Sequence, residues 1–172
     1  MFKNLFNRKE KTPIVNETFG EVVESILGWS KKTDEKITLW GKEYELEVRI
    51  VTSSKGDSIN VKQENAYKNF KITIEEKQKQ TEDIIERYFK TTDKDVLIEK
   101  FTPTELMFGK FGECVLLADN ADDDEEMHDV PDGLALCFEP LFKLYTQEEC
   151  ISYIVDKEGM PTEDIDFIGL LK

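Results

Sequence analysis

The sequence predicts an α+β fold: a mostly antiparallel sheet built from hairpins, with two central helices packed on one face. Three observations carry that expectation. Apolar and charged residues alternate strictly over Glu43–Ile50, a helical spacing replaces the alternation between Val61 and Phe89, and short apolar runs typical of strands return after Pro103. At 172 residues, 39% of them hydrophobic and eleven of them Phe, the chain is long enough to bury a core without metal or disulfide staples. One domain over residues 16–172 is expected, preceded by a basic arm at 1–15.

The elements follow in order. In the arm, Phe2, Leu5 and Phe6 fall at helical spacing among Lys3, Arg8, Lys9 and Lys11. Three readings stay open for it: a frayed terminus, a segment docked on the acidic half, or a membrane-surface helix. The stretch Phe19–Trp29 reads as strand or short helix, with strand favoured. Ile37–Trp40 and Glu43–Ile50 form a hairpin around Gly41-Lys42, where Gly at the first turn position suits a type II′ turn. A loop follows at Ser53–Ser58. Ala66, Tyr67, Phe70 and Ile74, then Ile84, Ile85, Tyr88 and Phe89, define two amphipathic helices or one kinked helix. The polar run Glu75–Gln80 marks their junction and Thr81 is a candidate N-cap, while Ile72-Thr73-Ile74 also suits a strand. Glu113–Ala118 and Leu134–Phe138 read as strands flanking an acidic string, Leu141–Tyr145 continues the sheet, and Ile165–Leu170 suggests a final packed segment.

Charge is strongly segregated. The formal net charge is −14, and from Glu113 onward 3 basic residues stand against 17 acidic ones, so the first 112 residues are balanced. Sequence-independent nucleic-acid binding is disfavoured, because its affinity comes from Lys and Arg neutralising phosphates. No run approaches the roughly 20 apolar residues of a membrane span. The opening residues lack the apolar core of a secretory signal, and Cys114, Cys137 and Cys150 lack C-x-x-C spacing. Reduced, buried thiols in a cytoplasmic protein are the expectation.

Catalytic templates are mostly missing. There is no G-x-G-x-x-G, no P-loop, no G-x-S-x-G and no H-E-x-x-H, and the pair Gly109 and Gly112 has no helix after it to cradle phosphate. A Cys–His nucleophile has only His128 to draw on. The string Asp119–Asp129 packs seven carboxylates and His128 into eleven residues, which invites a divalent-metal reading. Its spacing fails the calcium-loop pattern. Counted from Asp119, Asp124 stands where Gly is required and Val130 where Glu is required; counted from Asp122, Met127 takes the Gly position. A solvated loop, a weak metal site and a partner-binding surface remain, and no cofactor is implied. Partner binding would fall to Asp122, Asp123, Asp124, Glu125, Glu126, His128 and Asp129.

A resemblance adds to this reading. Gly41-Lys42-Glu43-Tyr44 in a hairpin, the pattern Gln63, Ala66, Tyr67 and Phe70 opening the helical part, and an acid-rich, His-containing loop before a strand are together similar to bacterial domains of unknown function described as immunity-protein-like. The family's Glu-His-Gly step is not matched: Met127 separates Glu126 from His128, and Gly133 comes five residues after the histidine. The similarity spans Phe19 to Tyr145 and implies an α+β fold with a non-catalytic role. The functional expectation is an acidic protein-binding module, of immunity or antitoxin type, that inhibits a basic partner. The alternatives are a metal-assisted hydrolase using the acidic loop, or a structural or regulatory domain.

Overall fold

The computed structural model describes residues 11–119, 133–155 and 159–163. The chain enters its sheet at β1 (Ile14–Asn16), turns into β2 (Gly20–Glu24) and returns as β3 (Gly28–Lys31). The ambiguous stretch Phe19–Trp29 therefore holds two strands and the turn between them, closed by the Ser25 N–H donating to the Gly28 carbonyl at 2.8 Å. Gly28 permits that turn, because its φ is +143° and a Cβ there would lie 2.2 Å from the Ile50 carbonyl oxygen.

Strands β4 (Glu35–Leu39) and β5 (Lys42–Val51) form the expected hairpin. Tyr44, Leu46, Val48 and Ile50 are buried, and Glu43, Glu45 and Glu47 are exposed, with Arg49 half-buried, so the alternation gives the register correctly. The turn is one residue earlier than expected. Leu39 pairs with Lys42, leaving Trp40-Gly41 as the two-residue loop, and φ values of +50° and +85° make it type I′. Tertiary contacts hold an aromatic residue in this left-handed position. Its backbone N–H donates to Glu82 Oε1, its indole Nε1 donates to Glu86 Oε1 at 3.2 Å, and its ring meets Phe101 edge-on.

Helices α1 (Val61–Ile72), α2 (Ile74–Phe89) and α3 (Lys94–Lys100) lead into β6 (Thr102–Phe108). The first two helices join at Thr73, ahead of the polar run, and Ile72–Ile74 is not a strand. Glu, Lys and Gln are good helix formers, so the polar run continues α2 rather than breaking it. Thr81, expected as an N-cap, is buried within α2 with its hydroxyl donating to the Lys77 carbonyl at 2.7 Å. The second helix starts at Thr73 without a side-chain cap, whereas Asn60 caps α1, accepting from the Lys62 and Gln63 amides while the Gln63 side chain accepts from the Asn60 N–H.

Strands β7 (Cys114–Asp119), β8 (Gly133–Glu139) and β9 (Lys143–Thr146) precede α4 (Gln147–Val155). The sheet order is β1-β2-β3-β5-β6-β7-β8-β9, with β4 also paired to β5, and every pairing is antiparallel except β5–β6. One apolar cluster gathers Phe19, Leu46, Ile50, Phe108, Leu116 and Leu136 with Ala66, Tyr67 and Phe70 of α1, Ile84 and Ile85 of α2, and Leu97 of α3. A second gathers Val51, Met107, Val115, Leu117, Ala135 and Cys137 with Cys150 and Ile154 of α4. Two helices were expected; four are present among the described residues, and helical side chains enter both clusters. Successive residues of β7 and β8 alternate between the clusters, which is why those strands read as continuous apolar runs. No helix among the described residues is long and apolar enough to cross a membrane.

Candidate functional site

The residues expected to bind a partner, Asp122, Asp123, Asp124, Glu125, Glu126, His128 and Asp129, lie outside the described residues, but both ends of their segment are placed. Asp119 at the end of β7 pairs with Gly133 at the start of β8, so the acidic string connects two adjacent antiparallel strands. The root is tied to α4: the Gln147 amide donates to the Ala118 carbonyl at 2.9 Å. Gly133 leaves room for this, since a Cβ there would stand 2.4 Å from Gln147 Nε2. Thr146 and Glu149 fix the helix beside it. The Thr146 hydroxyl accepts from the Glu149 N–H at 3.2 Å, and the Glu149 carboxylate accepts from the Thr146 N–H at 3.3 Å.

More negative charge stands on the outward face of β5. Glu43, Glu45 and Glu47 project there, with Lys36 bridging Glu43 at 2.6 Å. The parallel register sets Glu47 opposite Glu105, and Arg49 lies between them, 3.0 Å from Glu105 and 3.6 Å from Glu47. Arg49 Nε and Glu105 Oε1 are buried with no hydrogen-bond partner among the described residues. Burial raises the Glu105 carboxyl above its ordinary value; Arg49 opposes that shift and Glu47 adds to it.

The buried titratable groups hold elements together. Glu35, at an inward position of β4, accepts from Lys31 of β3 at 2.7 Å and from Tyr67 and Lys71 of α1. Burial works to raise its carboxyl, but the hydrogen bonds from Lys31, Lys71 and Tyr67 outweigh it and hold it below the ordinary value. Lys77 of α2 is buried 3.6 Å from Glu139 and lies over the Phe138 ring. All three thiols are buried, and burial pushes them up, Cys137 to about 12. None is suited to act as a thiolate nucleophile. Cys114 and Cys137 belong to opposite clusters.

Hollows are present among the described residues. One lies at the C-terminal end of α2 among Asp83, Glu86, Arg87 and Lys90. Another, of about 260 Å³, is lined by Thr52, Ser53, Asp57, Ser58, Asn60 and Lys110. Among the described residues no group of three or more His, Cys, Asp or Glu could hold a metal ion.

Sequence reading passed over Glu35 and Glu105. For Glu35 a signal existed, because it shares the parity of Ile37 and Leu39, which places a carboxylate on the inward side of a strand. Comparison with protein-family models, curated proteins and solved structures returns no match for this chain.

Proposed function

We propose that the chain is a non-catalytic acidic protein-binding module of the cytoplasm, an immunity- or antitoxin-like inhibitor that covers a basic surface of its partner. The observation that carries this reading is the segregation of charge: 17 acidic against 3 basic residues from Glu113 onward, in a chain otherwise balanced. Asp122, Asp123, Asp124, Glu125, Glu126, His128 and Asp129 make the contact. In support, these residues belong to a connection between two well-buried strands, and binding groups commonly sit on loops carried by a rigid scaffold. Proteins that act on phosphate-bearing substrates present Lys and Arg, so concentrated negative charge steers an inhibitor to them and competes with the substrate. Nucleic acids and anionic lipid surfaces carry the inhibitor's own sign of charge. The resemblance to immunity-protein-like domains and the raised thiols both favour a non-catalytic role.

The test begins by capturing the partner from the host at low and moderate salt and identifying it. Its association rate is then measured for wild type and for D122N/D123N/D124N/E126Q at two ionic strengths. The expected result is slower association and a flatter salt dependence in the variant, because charges at the rim of an interface act mainly on the on-rate. Identical rates at both ionic strengths would overturn the assignment of binding to this loop.

A further inference from the structure

We draw no further inference here: the strongest candidate, the polar hollow between the 52–60 loop, the α1 N-terminus and Lys110 at the carboxyl ends of the parallel strands β5 and β6, carries nothing because the first amides of that helix are already capped by Asn60 and none of its described lining side chains is buried without a partner.

Discussion

Two carboxylates, buried Glu35 and partly buried Glu105, respond to pH in opposite senses. Glu35 is held below its ordinary value in the folded chain, so its stabilising effect is complete above about 4.5 and is lost as pH falls through the lower native value. Glu35→Gln should cost about 3 kcal/mol at neutral pH, since the partly buried Lys31 loses its counter-charge. Urea titrations from pH 7 to pH 3 should show the gap to wild type narrowing below that value; a constant gap would refute the linkage. Glu105 is raised instead, so its ionised form burdens the fold above the native value and relief comes as pH falls through it. The stability of Glu105→Gln relative to wild type should therefore rise as pH rises through the native value and fall on acidification, in the same titrations. Backbone geometry decides a third residue. At Gly28 an alanine would meet the Ile50 carbonyl in a left-handed conformation, and Gly28→Ala should lower stability by about 2–4 kcal/mol in chemical denaturation.

Helix α1 is where local signals and packing agree most closely. Phe70 is fully buried and its ring lies 6.4 Å from Phe108 and 6.2 Å from Phe138, which come from two different strands. Phe70→Ala removes both ring contacts and leaves a cavity, so equilibrium unfolding should register a loss of about 3–5 kcal/mol. This helix is legible from its apolar face alone, and the Asn60–Gln63 capping box, a readable signal that the sequence reading passes over, sets its start. The β4–β5 hairpin was legible for a similar reason, since period-2 alternation has only one register that buries Tyr44, Leu46, Val48 and Ile50. The polar run 75–80 reads as the helix junction although its residues favour helix, and the turn reads as Gly41-Lys42 because only tertiary contacts to Glu82, Glu86 and Phe101 hold Trp40 at positive φ. Helices α3 and α4 carry readable start signals that the sequence reading passes over: Asp93, whose side chain accepts from the Asp95 and Val96 amides, opens α3, and the Thr146–Glu149 pair opens α4. The parallel β5–β6 pairing has no local signature, because it depends on where three intervening helices return the chain.

For the whole molecule the governing quantity is charge. A net charge of about 2–8 in magnitude usually suffices to keep a small domain soluble, and −14 exceeds it. The acidic string is legible as composition, and the exposed carboxylates of β5 as the polar half of its period-2 alternation. Excess charge of one sign repels itself, so D122N/D123N/D124N/E126Q should unfold at the same temperature as wild type or slightly higher. The same string must also be separated from a metal loop. A specific cation site would stabilise the fold by RT ln(1 + [L]/Kd), about 2.7 kcal/mol at a hundredfold excess over Kd, and in a domain of this size each kcal/mol moves the melting temperature by about 2–4 °C. Solvated carboxylates that face a protein partner give no such gain. Thermal unfolding with Mg²⁺ or Ca²⁺ at millimolar levels, or Zn²⁺ at micromolar levels, should therefore shift by no more than about a degree, with the three ions behaving alike. A rise of many degrees with one ion, abolished in D123N/D124N, would mean that these carboxylates converge on a cation, and the metal-assisted hydrolase would displace the inhibitor as the reading of this chain.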